Sequence, residues 1–356
     1  MIVTDDKIIS LVGFARQMNC TDIHISMDHP VVLRKMGELI KTNFEANNED
    51  IKKMIMSIVD EEQKNLINES KDVITTFEMP KPQPFRQRVC IYKQMGKLAA
   101  SIRLLPHSTI PIEELNIPES VITELLRPSG ITFITGPAGN GKTTTAASLI
   151  QQICNTNPMH IITLEEPIEY VFRSTKSTVH QRQIGTDIDS FSKACEYASK
   201  EDTDIIFISD IRDFDTLNAA VKAAESGHAV IACYNANSII HALDSLEELC
   251  PTQRQERFRI RFSNVIRSMI TQKLVPSADG TSTVIVNEVM ICNDAIANVL
   301  RQEKRTAITN IMQTSSALGM HTLNSILVKL CGSGTITRES AIRCSADRDD
   351  LLQYLK

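Results

Sequence analysis

Apolar and polar residues alternate in two different rhythms along this chain, and the change of rhythm divides it. In the first part, Lys7–Gln17 repeats its apolar positions at helical intervals, whereas Asp22–Ser26 alternates as a strand does. A turn at His29 and Pro30 leads to a second strand, Val31–Met36, closed by Gly37. Periodic Ile, Met and Leu among charges predict one helix over Glu49–Asn68. Two more strands, Arg86–Tyr92 and Lys97–Leu105, flank a turn at Gln94–Gly96. These elements predict a separate α+β unit over residues 1–107. The linker is expected at about 106–117, most clearly at Pro106–Pro111, where two prolines and small polar residues interrupt every period.

From Leu115 strands alternate with helices, the pattern of a mostly parallel sheet with crossover helices. The strands are predicted at Ile131–Thr135, Ile161–Leu164, Ile205–Ser209 and Ala229–Tyr234, with another at Thr283–Met290. Short helices follow at Asp294–Gln302, Arg305–Gln313 and Thr322–Leu330. A turn at Gly332–Gly334 then precedes a last helix, so the C-terminal portion of the second domain, 108–356, reads as helical.

The densest chemistry lies where the first of these strands feeds a helix. Gly136, Pro137, Ala138, Gly139, Asn140, Gly141, Lys142 and Thr143 fit G-x-x-x-x-G-K-[ST], with Thr144 opening the helical stretch. Glycines let successive backbone N–H groups turn inward around phosphate oxygens. Lys142 has the reach for β/γ-phosphates, Thr143 has the hydroxyl for Mg²⁺, and the helix N-terminus adds partial positive charge. This is a candidate nucleotide phosphate site.

Three further stretches follow. Pro167 halts a strand, so Glu165, Glu166 and Glu169 are expected on a loop beside the nucleotide, positioned to order Mg²⁺ through water or accept a proton from attacking water. The bland alternative is three solvated glutamates. Ile205–Asp210 is a buried strand ending in an acid, the Walker B arrangement, with Asp210 a candidate metal group, directly or through water. Ala224–Ala229 reads as a helix end with a Gly cap, where His228 is a candidate phosphate sensor or a structural histidine.

Composition narrows the class. With 356 residues, 42% hydrophobic and 23% charged, the chain has the make-up of a soluble globular protein with room for two cores. A net charge of -5 gives no electrostatic reason to expect nucleic acid. Nine dispersed cysteines, none in a C-x-x-C spacing, read as reduced thiols and make a zinc site unexpected. The first residues lack a basic-then-apolar pattern, so no secretory signal is expected, and no apolar run approaches a membrane span. Arg254, Arg257, Arg259, Arg261 and Arg267 fall in one apparent helix. A solvated or intersubunit face accounts for them more simply than nucleic acid.

Taken together, these stretches resemble the hexameric secretion ATPases of type IV pili and type II secretion. Residues 136–144 are similar to that family's Walker A, 164–172 to its Asp box, and 180–191 to a linking segment. Residues 204–238 resemble its Walker B and His box run together, and Thr21–Ser26 the start of its N-domain. Residues 289–302 resemble the retraction-motor branch. The paired C-x-x-C insertion of most extension and secretion branches is missing, and their extra N-terminal domain is not expected.

The resemblance implies an N-terminal PAS-like α+β domain and a RecA-like P-loop ATPase domain. It implies a homohexamer that uses ATP and Mg²⁺ for pilus retraction, cytoplasmic but held at the inner membrane by a pilus platform protein. A paralogous pilus ATPase is a further candidate partner. By position, Glu169 would be the general base, Asp210 the Walker B acid, and Arg103 an N-domain arginine reaching a nucleotide. Departures accompany the likeness: Asp210 and Asn235 stand where the family usually has Glu and His, and Ala297 and Gln302 replace Arg and Glu. Extension or type II secretion, a RecA-type nucleic-acid motor, and a nucleotide-binding subunit with weak hydrolysis are the rival readings.

Overall fold

The computed structural model describes residues 3, 5–80, 86–106 and 108–355; His107, inside the expected linker, lies outside them, as do the end positions 1 and 356. The chain forms two compact units, Met1–Ser108 with Pro167–Val171, and Thr109–Glu166 with Phe172–Lys356.

In the first unit, helix α1 (Asp6–Gln17) is started by Asp5, whose carboxylate accepts from the amides of Lys7 and Ile8. It buries Ile8, Leu11, Val12 and Ala15. Strands β1 (Asp22–Ser26), β2 (Val32–Lys35) and β3 (Glu38–Lys41) follow. The expected single helix over Glu49–Asn68 is two, α2 (Asn48–Met56) and α3 (Glu61–Asn68). The reason is local: Asp60 and Gln63 form a reciprocal capping box, which starts a new helix where the apolar period alone would carry through. Strands β4 (Val73–Glu78), β5 (Arg86–Gln94) and β6 (Lys97–Leu104) complete an antiparallel sheet, which among the described residues runs β3-β2-β1-β6-β5-β4. Ile8, Ile23, Leu33, Met54, Phe77 and Val89 share its core.

After a 3₁₀ turn at Ile112–Leu115, the second unit continues with α4 (Glu119–Leu125) and β7 (Gly130–Gly136), which feeds α5 (Lys142–Thr156). Then come β8 (His160–Glu165), β9 (Thr178–Gln183), α6 (Phe191–Ala198), β10 (Ile205–Ile208), α7 (Phe214–Glu225), β11 (Ala229–Asn235) and α8 (Ile239–Glu248). Helix α9 (Gln255–Val265) runs into β12 (Ile266–Pro276), paired with β13 (Thr283–Ile291). Among the described residues the sheet order is β13-β12-β7-β11-β10-β8-β9, parallel except at the β12–β13 pair. Phe133, Ile134, Ile206 and Phe207 sit at 0–1% exposure in the sheet, and β7 and β10 are buried at every position, so they lack the alternation of a half-exposed strand.

Short helices α10 (Asp294–Arg301), α11 (Thr306–Thr314), α12 (Leu323–Gly332), α13 (Arg338–Cys344) and α14 (Arg348–Tyr354) end the chain. The last three pack Leu323, Leu327, Ala341 and Leu351 against Val275 and Val286. The arginines expected on one helix are spread over three elements: Arg254 in a 3₁₀ turn, three on α9, and Arg267 on β12. No helix among the described residues is long and apolar enough to cross a membrane.

Candidate functional site

Four parallel strands deliver the candidate groups to one edge of the second unit's sheet. Gly136 at the end of β7 pairs with Asn235 at the end of β11, while Ile208 of β10 pairs with Ala232 and Leu164. Asp210 follows β10, and Glu165 is the last residue of β8. The carboxyl ends of parallel strands are where open α/β sheets keep ligands.

The glycine loop has the backbone that its composition demands. Gly136, Gly139 and Gly141 have φ of 152°, 77° and 80°. A Cβ on Gly136 would lie 2.4 Å from the backbone oxygen of Gln272, so no side chain fits there. Gln272 of β12, only 1% exposed, braces the loop from below: its Nε2 donates to Asn140 O at 2.7 Å, and its Oε1 accepts from Thr145 at 2.6 Å. Asn140 Oδ1 in turn accepts from the Leu274 amide at 2.8 Å. Buried hydroxyl pairs, Thr132 with Ser268 and Thr135 with Thr271, tie β7 to β12 along their length. Sequence reasoning missed Gln272, because nothing local marks a strand residue as the brace of a loop more than 130 positions earlier.

Lys142, on the first turn of α5, donates to Gly136 O (2.9 Å), Pro137 O (3.0 Å) and Asn235 Oδ1 (2.8 Å). Burial pushes the ammonium below the ordinary lysine range, while Cys233 and Asp210 oppose that shift. Thr143 and Thr144 occupy the same first turn. Beside the loop, a cleft of about 700 Å³ is bounded by Pro137, Asn140, Ser238, His241, Leu274 and Arg343.

The acids divide. Glu165, expected on a loop, instead ends β8 at 1% exposure, accepting from Thr163 (2.7 Å) and Gln181 (3.0 Å). Pro167 stops the strand later than the apolar run suggested. Asp210 and Glu166 share Arg212, whose Nε donates to Asp210 at 2.6 Å and Nη1 to Glu166 at 2.5 Å. His228 is not brought to the loop. It precedes β11, its backbone oxygen accepting from Gly130 at the opposite end of β7 from Gly136, and its Nδ1 lies 3.1 Å from both Ser226 Oγ and Ala223 O. Seven-residue strands place those two ends about 20 Å apart.

Glu169 and Arg103 belong to the first unit. Asp22, Arg103 and Arg88 stand side by side across β1, β6 and β5. Asp22 accepts from Arg103 at 2.9 Å, and Glu169 from Arg88 at 2.6 Å. Burial raises the Glu169 carboxyl, with Arg88 and Arg103 pulling it back. Arg88 carried no sequence signal apart from its strand.

Of the arginines around α9, Arg261 is bidentate to Glu225, Arg259 pairs with Glu247 and Glu303, and Arg267 donates to Ser129 O. These side chains serve contacts inside the unit. Arg301 of α10 donates to Asn264 of α9 at 2.8 Å.

The type II/IV secretion system protein family matches residues 89–334. This chain belongs to that family. It is 32% identical to the twitching motility protein of Neisseria gonorrhoeae over 321 residues, 90% of this chain and 85% of that one. It is also 32% identical over 335 residues to the type IV pilus retraction ATPase PilT of Pseudomonas aeruginosa, 94% of this chain and 96% of the relative. Among solved structures, the crystal structure of the pilus retraction motor PilT with bound ADP superposes with a TM-score of 0.86 at 33% identity, covering 97% of this chain and 98% of that chain. The α/β architecture expected from the sequence, an N-terminal α+β unit followed by a RecA-like P-loop unit, is that of this secretion ATPase family.

Proposed function

We propose that this chain is an ATP-hydrolysing motor that drives type IV pilus retraction, acting as a homohexamer on an inner-membrane platform protein and cytoplasmic apart from that attachment. The observation that carries the reading is a braced phosphate loop, with Asp210 just past the end of β10 in the same sheet, in a chain alike over nearly its full length to retraction ATPases. In this reading residues 1–107 form the PAS-like domain, joined by the later run Pro167–Val171, and the rest of 108–356 forms the motor domain.

Lys142 and the amides of Gly139, Gly141, Thr143 and Thr144 bind the phosphates, and the adjoining cleft has room for the nucleoside. Thr143 and Asp210 would hold Mg²⁺. One hydroxyl and one carboxylate suit an ion that arrives on phosphates and keeps several waters, and among the described residues no cluster of three or more His, Cys, Asp or Glu forms a cage for it. The ion would supply charge neutralisation at the transferring phosphoryl group. Glu169 accepts the proton of the attacking water, and Arg103 meets the phosphates, in the same subunit or across a boundary. Closing and opening of the shared site would turn turnover into movement of the ring.

Purified protein should hydrolyse ATP with Mg²⁺, and DNA or RNA should not stimulate it. Cells lacking the chain should accumulate surface pili and lose twitching. Bald cells would make it an extension motor, and nucleic-acid-stimulated turnover would make it a different kind of enzyme.

A further inference from the structure

We propose that Asn235 is an internal competitor of phosphate for Lys142: its amide oxygen gives up the ammonium when a nucleotide binds and takes it back when the nucleotide leaves. The inference rests on the phosphate-site reading of the glycine loop given above.

The argument starts from a count of donors. An ammonium has three N–H bonds. Lys142 spends all three, on Gly136 O, Pro137 O and Asn235 Oδ1. A phosphate oxygen therefore gains this cation only by displacing one of those acceptors.

The three acceptors are not equivalent. Two are main-chain oxygens of the loop, and that of Gly136 also accepts from the Ala236 amide, which holds it to β11. Moving either one deforms the loop that presents the phosphate-binding amides. Asn235 is an exposed side chain at a strand end, and among the described residues Lys142 is its one side-chain hydrogen-bond partner. A rotation about its own side-chain bonds frees the lysine and leaves the backbone in place. Asn235 is the acceptor that exchanges.

The residue type suits that role. A carboxylate here would hold the ammonium more tightly and repel phosphate. An imidazole would release the lysine as it ionised near neutral pH. An amide is a neutral acceptor at every physiological pH, so Asn235 adds no titration of its own to the exchange.

The test is calorimetric titration of the full chain with ADP and with ATP in Mg²⁺, together with the ADP dissociation rate. Asn235→Ala should bind both nucleotides about five- to tenfold more tightly and release ADP correspondingly more slowly, the size expected for a partly solvated hydrogen bond from a charged donor. Asn235→Asp should bind at least about tenfold more weakly, giving an independent variant of opposite sign. Melting temperatures without nucleotide should stay close to the parent for both. In a Lys142→Ala background, Asn235→Ala should change nothing, because the competition has lost its object.

Unchanged or weaker nucleotide binding in Asn235→Ala overturns the proposal; a weaker result would make the amide a ligand of the phosphate itself. Nucleotide binding by Lys142→Ala equal to the parent's would instead remove the phosphate-site reading, a separate failure.

Discussion

Arg212 lies 2.6 Å from Asp210, its Nε–H donated to the carboxylate while the same guanidinium turns Nη1 to Glu166. One cation thus sets the direction of two acids at the mouth of the candidate site, and Asp210 keeps a second oxygen for other chemistry. Asp210→Asn should lower kcat on the order of 10²- to 10⁴-fold, the range of a positioned acid–base or metal-ordering group. ADP affinity should change little. Steady-state kinetics beside an ADP titration decide it, and an unaltered kcat would remove Asp210 from the machinery.

Lys142→Ala should abolish hydrolysis. Its ammonium serves loop carbonyls and one exposed amide rather than the core. Without nucleotide the melting temperature should therefore fall by no more than a few degrees. Retained ATPase activity in a folded variant would contradict the phosphate site.

Gln272→Leu keeps the bulk of a buried side chain and deletes both of its hydrogen bonds under the loop. Leaving Asn140 O and Thr145 without that partner costs about 1–3 kcal/mol. For a unit of this size that is roughly 2–8 °C in melting temperature. Nucleotide affinity should drop as well, since the brace sets the loop's shape. A calorimetric scan and an ADP titration on one preparation test both effects.

The Glu169 carboxyl is raised by burial and drawn back by Arg88 and Arg103. Its proton is held more tightly in the folded chain than in the unfolded one. Between the unfolded and the raised folded value, the folded state therefore binds more protons, and stability falls as pH rises through that window. If ionised Glu169 is the base, hydrolysis should rise with pH through the raised value. Arg88→Met removes a cation 2.6 Å away and should move that limb of the kcat profile to higher pH. A limb that stays in place would separate Glu169 from proton transfer.

What could be read from the chain alone follows a physical divide. Strands β7, β10 and β11 are buried almost end to end because helices cover a parallel sheet on both faces, so they read as β-branched and apolar runs without alternation, and they stood out. Edge strands β3 and β9 did not: Glu38–Lys41 is short and mostly exposed, and Thr178–Gln183 is largely polar with no residue fully buried. Strand β12 was hidden for the opposite reason: Ser268, Thr271 and Gln272 are polar yet buried, spent on the loop and on β7. The glycine loop was legible because its backbone tolerates few residue types. Gln272, Arg212 and Arg88 were not, because each earns its place through a partner that only tertiary structure supplies.

The short run Pro167–Val171 belongs with residues made long before it. When a ribosome has finished Ser108, the first unit still lacks this piece, and the partner of Arg88 is about sixty residues away from being synthesised. At about 5–20 residues per second, that is a wait of several seconds during which Arg88 faces water. The N-terminal unit reaches its finished form only once the chain has passed through the glycine loop and β8. Expressed as residues 1–108 alone, it would never reach that form, and a chimera joined at the linker would need a second splice around Pro167–Val171 to carry both halves intact.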